Sequence, residues 1–338
     1  MPGKTPIHWP GAAKKLAGML PLARLHPSTL AWAADRSTRE PWGIAFSGGA
    51  DSLALLLVLW AHFPSRRGQF VALHFDHRLR GKESRADAAF SRRVCTGLKI
   101  AFRKGSWLGA PKAASEADAR EARMGFLEKH ASVLWFGHQL DDVAETMLMR
   151  LARGSGAGGL AAPRPIQTSA DGVTRLRPLL TLRKGEIQSA LQAATIPWRE
   201  DSSNLAGDYF RNRIRQAVVP AWNAAAQRDA VAGAARSREL LEEDDTALEC
   251  WLDGLGAMQS DRALNLRLLV DKPRALIRRA VHRWLLLQPD AGKISRQAFD
   301  LLLASATKGA ATRHSLGAKG FAVIKHGLLC FVPVRKRS

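Results

Sequence analysis

The stretch Gly43-Ile44-Ala45-Phe46-Ser47-Gly48-Gly49-Ala50-Asp51-Ser52, continued by Leu53-Ala54-Leu55-Leu56-Leu57-Val58-Leu59-Trp60, decides the fold. The apolar run 44–46 reads as a buried parallel strand and the run from Ser52 as a helix. Two adjacent glycines between them let the backbone turn tightly and leave its N–H groups open to a ligand. The helix N-terminus behind the turn adds partial positive charge, which suits a phosphate or pyrophosphate. No Gly-Lys-Ser/Thr follows, so this is not a Walker A loop. Asp51 would repel a bare phosphate, and makes more sense holding a Mg²⁺ ion that bridges to one. A plain strand-to-helix turn, with 47–52 serving only as turn and cap residues, is the alternative.

Strands and helices alternate outward from this unit. Phe70-Val71-Ala72-Leu73-His74-Phe75-Asp76-His77 reads as a second strand ending in polar residues, then 84–99 as a helix and 100–102 as a third strand. A helix over 115–131 opens with a Ser115/Asp118 capping box. Val133-Leu134-Trp135-Phe136 gives a fourth strand and 142–153 a fourth helix. This alternation predicts an α/β fold, a doubly wound parallel sheet, with ligands beyond the carboxyl ends of its strands. After the glycine-rich stretch 154–159 come extended segments around Asp171-Gly172, a helix over 186–194, and a short helix over 208–218 bearing Arg211, Arg213 and Arg215. Beyond Pro220 the pattern predicts a smaller, mainly helical domain with a C-terminal β-hairpin turning at Lys325-His326-Gly327. The expected division is an N-terminal extension 1–40, an α/β domain 41–220 and a helical domain 221–338.

Charge narrows the partner. Among 338 residues, 51 Lys and Arg against 30 Asp and Glu give a formal net charge of +21, which favours a polyanion, with nucleic acid first among candidates. Cys95, Cys250 and Cys330 form no CxxC pair, which argues against a zinc site and a disulfide framework and fits the reducing cytoplasm. No apolar run approaches the ~20 residues of a membrane span. Residues 1–34 carry Lys4, Lys14, Lys15 and Arg24 without an acid; a basic leader or a small helix packed on the first domain is the preferred reading over a transit peptide.

Three constellations could carry chemistry. Asp142 and Glu145 share a helix face behind the fourth strand, able to point two carboxylates at one metal or one reacting centre. They also have capping-box spacing, which needs no function; Asp51, expected at the same rim, favours the first reading because clustered acids are costly without a cation. His74 and Asp76 share one strand face, with His77 on the other, and are as readily structural as ligand-contacting. Glu116, Arg120 and Arg123 stack on one helix face, as a solvated ion-pair row or as something more. Arg150 and Arg153, before the glycine stretch, suit either a flexible linker or a loop that contacts nucleic acid.

The Ser47-Gly48-Gly49, Asp51-Ser52 pattern resembles the Ser-Gly-Gly-x-Asp-Ser signature of the PP-loop ATP pyrophosphatases. His74-Phe75-Asp76-His77-Arg78-Leu79-Arg80 resembles the His-x-Asp-His-x-Leu-Arg segment of tRNA(Ile)-lysidine synthases within that family. Glu116 with Arg120 and Arg123 is similar to their Glu-x-x-x-Arg-x-x-Arg helix, and 137–146 to their His-x-x-Asp-Asp-x-x-Glu-Thr motif. Arg153-Gly154-Ser155-Gly156, Arg177-Pro178-Leu179-Leu180, Glu200-Asp201-Ser202-Ser203-Asn204 and 209–215 continue the resemblance in order. Met124 and Gln139 depart from it, standing where an aromatic and a second histidine are common.

The resemblance implies ATP-dependent ligation of free L-lysine to carbon-2 of the wobble cytidine of an isoleucine tRNA with a CAU anticodon. The tRNA would be adenylated first, and AMP and pyrophosphate released. It implies ATP binding by Ser47, Gly48, Gly49, Ala50, Asp51, Ser52, His74 and Asp76, with Asp51 on Mg²⁺. Catalysis would fall to Asp51, His138, Asp142 and Glu145, and tRNA phosphates to Arg150, Arg153, Arg211, Arg213 and Arg215. The alternative is another PP-loop tRNA-modifying enzyme, such as a tRNA thiolase.

Overall fold

The computed structural model describes residues 7–35, 40–77, 82–107, 115–169, 171–200, 210–289 and 294–334. Helices α1 (Trp9–Met19) and α2 (Pro27–Asp35) precede strand β1 (Trp42–Ala45) and helix α3 (Ala50–His62). There follow β2 (Phe70–Asp76), α4 (Lys82–Leu98), β3 (Ala101–Ser106), α5 (Glu116–His130), β4 (Val133–Trp135) and α6 (Leu140–Leu151). The single turn α7 (Ala157–Leu160), β5 (Ile166–Thr168), β6 (Thr174–Leu176) and α8 (Lys184–Ala193) come next. After them stand α9 (Phe210–Arg213), α10 (Val219–Ala226) and α11 (Ala230–Gly254), with a π-helical turn, Ile214–Val218, joining α9 to α10.

The six strands lie in the order β3-β2-β1-β4-β6-β5, all parallel except β5, which runs antiparallel to β6. This is the doubly wound sheet that the alternation predicts. Its central strands are apolar on both sides because both sides are covered. Trp42, Ile44, Phe46, Phe70, Ala72, Val133 and Trp135 face one core, shared with α1, α3, α4 and α8. The intervening Ala45, Val71, Leu73, Leu134 and Phe136 face a second core with Leu127 and Ala131 of α5 and its end. The two-residue period of the strands thus sorts the side chains between two layers. Trp42 and Trp135 meet at 4.6 Å between ring centroids on neighbouring strands.

Helix α3 is apolar all round because it is enclosed all round: Leu53, Leu55, Leu56, Leu57 and Leu59 have no solvent exposure. Helix α1 packs on it through Ala13 and Leu16, so the N-terminal helices belong to the main core. Gly137, just past β4, fixes the distance from the end of that strand to the first turn of α3. A Cβ there would lie 2.8 Å from the carbonyl oxygen of Asp51.

The chain divides into two compact units, Met1–Glu242 and Glu243–Ser338, the division falling within α11. The first runs past Pro220 because Val231 and Ala234 of α11 pack on Ala144 and Met147 of α6. The second contains β7 (Leu264–Asn265), α12 (Arg274–Leu286), α13 (Arg296–Lys308), β8 (Thr312–Ser315), β9 (Gly320–Lys325) and β10 (Leu328–Pro333). Its strands form an antiparallel sheet in the order β7-β10-β9-β8. The expected hairpin is β9-β10, turning through His326 (φ 52°) and Gly327 (φ 74°), and β7 and β8 extend it on either side. Asp245 and Glu249 at the end of α11 pair with Arg279 of α12.

Close approach at Gly137 sets a measurable cost. Gly137→Ala should lose about 1–3 kcal/mol in urea unfolding, the usual penalty for overpacking. Gly125→Ala, inside α5 with nothing within 4 Å of its added carbon, should gain about 0.5–1 kcal/mol. Equal effects would mean that the two backbones do not meet at Gly137.

Candidate active site

The glycine loop carries its own web of hydroxyls. Ser52 Oγ accepts from the Ser47 N–H at 3.2 Å and donates to the Gly49 carbonyl at 3.1 Å, while Ser47 Oγ accepts from the Gly49 N–H at 3.3 Å. Gly48 stands at φ +93°, a conformation that favours glycine, and Gly49 caps α3. The Gly48 carbonyl accepts from the Arg199 N–H at 3.0 Å, and the Arg199 guanidinium pairs with Asp87 at 2.6 Å.

In the first turn of α3, Asp51 Oδ1 is buried with no hydrogen-bond partner. Burial, then the neighbouring Asp142, pushes its carboxyl up to about 7, against the pull of Lys184 and Arg215. An orphaned buried carboxylate oxygen beside a phosphate-type loop fits a Mg²⁺ ion, which needs only one or two protein carboxylates when phosphates supply the rest. Among the described residues, no three His, Cys, Asp or Glu side chains converge as a metal cluster by themselves. On β2, His74 is buried and its Nδ1 lies 2.9 Å from the Phe46 carbonyl, so that nitrogen carries the proton and donates. Burial lowers its pKa. Asp76 pairs with Lys104 at 3.0 Å.

Asp142 and Glu145 are both buried on α6, and each is held by arginine. Asp142 does cap its helix, but with Gln139 as partner: its Oδ2 accepts from the Gln139 N–H at 3.0 Å, and Gln139 Oε1 accepts from the Asp141 N–H at 2.5 Å. Asp142 Oδ1 is left for Arg211 Nη2 at 2.6 Å. Glu145 accepts from Arg211 Nε at 2.8 Å and, through both oxygens, from Arg215 Nε at 2.5 Å and Nη2 at 3.0 Å. Burial raises the Asp142 pKa against the opposing Arg211. Arg211 and Arg215, expected on phosphates, therefore rest on two carboxylates of their own chain.

Beside this pair lies a group of arginines, Arg120, Arg123 and Arg177. Arg177 is buried, donates from Nε to His138 Nδ1 at 3.2 Å and from Nη1 to the Arg164 carbonyl at 2.6 Å; burial and then Arg120 lower its pKa to about 10. Because Nδ1 of His138 accepts, its ring is neutral with the proton on Nε2. Burial, then Arg177, Arg211, Arg123 and Arg120, drives its pKa well below the ordinary histidine value. Arg123 Nε is buried without a partner, and burial, then Arg120 and Arg211, lowers its pKa to about 10. Arg150 is half-buried and holds the Gly159 carbonyl, Arg153 is exposed, and Arg213 is exposed near the Phe210 ring. The structure thus brings together Asp51, His138, Asp142, Glu145, Arg211 and Arg215. Roles for Gln139 and Arg177 were not read from the sequence, although the Arg177-Pro178-Leu179-Leu180 motif contained the signal for the second; Arg123 was singled out there, with its role left open. Arg78, Leu79, Arg80, the motif residues 201–204 and Tyr209 lie outside the described residues.

A family model for the PP-loop domain matches residues 25–222. The chain belongs to the PP-loop domain family. It is similar to proteins named tRNA(Ile)-lysidine synthase: 36% identical over 258 residues to that of Symbiobacterium thermophilum, covering 70% of this chain and 53% of the relative. Identity is 39% over 195 residues to that of Solibacter usitatus, covering 54% and 42%, and 33% over 262 residues to that of Geobacillus kaustophilus, covering 72% and 55%. The chain spans about half the length of these relatives. Among solved structures it resembles a U34-tRNA thiolase from Methanococcus maripaludis, determined with its 4Fe-4S cluster. There the TM-score is 0.50 at 17% identity, over 68% of this chain and 78% of that one, a likeness of fold alone.

The buried Asp51 carboxylate has a consequence for stability. Its folded pKa lies above the unfolded value of 3.8, so the ionised form strains the fold above pH 7 and protonation relieves the strain as pH falls. Without nucleotide or divalent cation, Asp51→Asn should stabilise the protein at pH 8 by roughly 2–4 kcal/mol in urea unfolding. The gain should shrink towards pH 5. A variant no more stable than wild type at pH 8 would remove the strain from Asp51.

Proposed function

We propose that the chain ligates L-lysine to carbon-2 of the wobble cytidine of an isoleucine tRNA, the activity its relatives are named for. One juxtaposition supports this reading: a buried carboxylate pair suited to a cation stands beside the buried Arg177 and Arg123, whose Nε is buried without a partner, and these suit an anion. The first suits the ammonium of lysine, the second the phosphates of RNA. The +21 charge points the same way.

ATP, bound with Mg²⁺, supplies the adenylyl group that turns the cytidine oxygen into a leaving group. Backbone N–H groups of 47–52 bind the pyrophosphate part, Asp51 anchors the cation, and His74 and Asp76 border the adenine. The neutral His138 keeps an Nε2–H donor for the reacting base. Asp142 and Glu145 orient the lysine, and Asp142, whose pKa is raised, can take a proton from its ammonium before the amine displaces AMP. Arg120, Arg123 and Arg177 bind RNA phosphate near the base, and Arg150, Arg153 and Arg213 bind it further along. The work belongs in the cytoplasm; among the described residues no helix is long and apolar enough to cross a membrane.

Sulfur transfer, the alternative, draws on likeness of fold. Cys95 is buried, its thiol pushed up to about 12 by burial, which makes it a poor carrier of sulfur. Incubation with isoleucine tRNA, ATP and labelled lysine should release AMP and pyrophosphate and yield a nucleoside heavier by one lysine residue in mass analysis. Changing all three cysteines to serine should leave most of that activity, whereas Glu145→Gln should remove nearly all of it. Thiolated nucleoside, or ADP and phosphate as products, would contradict the reading.

A further inference from the structure

The carboxylates assigned to the lysine ammonium are already occupied. The guanidiniums of Arg211 and Arg215 take Oδ1 of Asp142 and both oxygens of Glu145, and Oδ2 of Asp142 is taken by the cap of its own helix. An arriving ammonium would have to compete with both guanidiniums for the same oxygens, next to the buried Arg177 and to Arg123. Such crowding is unfavourable in a partly buried site. One guanidinium must therefore leave for lysine to bind, and it needs a new anion.

Geometry distinguishes the two arginines. Arg215 makes a two-point contact with Glu145, at 2.5 and 3.0 Å, and stands 3.6 Å from Asp142. Arg211 divides its donors between the two acids and is also a charge neighbour of both His138 and Arg123. It thus stands at the border between the acid pair and the arginine group. The π-helical turn Ile214–Val218 follows directly after α9, a local irregularity of the kind found where helices serve a function.

We propose that Arg211 is an exchangeable counter-ion, drawn from Asp142 and Glu145 by the phosphate of bound RNA so that the lysine ammonium takes its place. After the exchange, Arg215 and the ammonium balance the two carboxylates, and Arg211 balances the phosphate. RNA and lysine then bind cooperatively, each raising the affinity for the other by the same factor. Arg211 is in this sense a positioning residue that reserves the acid pair for a complex already holding RNA. The inference rests on the proposed lysine reaction.

The test is calorimetric titration of L-lysine into the full chain without ATP, alone and saturated with an RNA hairpin carrying a CAU loop. Lysine should bind about tenfold or more tightly in the presence of RNA. Arg211→Gln should bind lysine alone nearly as tightly as wild type does with RNA, and RNA should add less than about threefold. Arg215→Gln should retain the tenfold coupling. Equal lysine affinity with and without RNA in the wild type, which needs no variant, would overturn the exchange while leaving the lysine reading intact. Weaker binding of lysine alone by Arg211→Gln would also overturn it, making Arg211 a support for the carboxylates. If lysine binds in no state although the hairpin does, the lysine reading itself fails, and the exchange with it.

Discussion

Two buried carboxylates three residues apart on α6, Asp142 and Glu145, impose the condition that the rest of the site meets. Carboxylates taken from water are stable only when paired and hydrogen-bonded. The chain supplies the pairing from 66 to 70 residues away, through Arg211 and Arg215. That demand brings α9 and the turn after it onto α6. Helix α6 in turn is placed by β4, whose exit at Gly137 touches the start of α3 and brings Asp51 close. Asp51 keeps one buried oxygen without a hydrogen-bond partner, and burial, then Asp142, raises its pKa against the pull of Lys184 and Arg215.

The site is therefore divided electrostatically. Acids paired with arginines stand on one side, and on the other Arg123 and Arg177 stand beside the neutral His138. A reaction that joins an ammonium to a polyanion suits such a division. Each half attracts one reactant, and the boundary between them is where a bond would form. The glycine loop at the head of α3, with the hydroxyls of Ser47 and Ser52 folded into it, adds a third region for phosphate.

Much of this was legible in the sequence, and the reasons for what was not are physical. Apolar runs at 44–46, 70–75 and 133–136 announce a sheet buried on both faces, and two glycines before an apolar helix announce the loop. The partners of Arg211 and Arg215 were hidden, because an arginine pair on a helix suggests phosphate when the acids that hold it lie 66 to 70 residues away. The cap of α6 was hidden for another reason: glutamine is not a favoured cap, so the spacing pairs Asp142 with Glu145 rather than with Gln139. Strands β7 and β8 are short, and β8 reads Thr312-Arg313-His314-Ser315, which has no apolar alternation to find. They form because the β9-β10 hairpin offers edges for them to pair with.

The acid–arginine interaction can be measured without substrate. A double-mutant cycle of Glu145→Gln and Arg215→Gln in urea unfolding at pH 7.5 isolates the coupling between the two side chains. Their two-point, largely buried contact should give a coupling energy of roughly 1.5–3 kcal/mol, with each single variant less stable than the double variant would suggest by addition. A coupling below about 0.5 kcal/mol, with additive single effects, would contradict the claim that this ion pair organises the site.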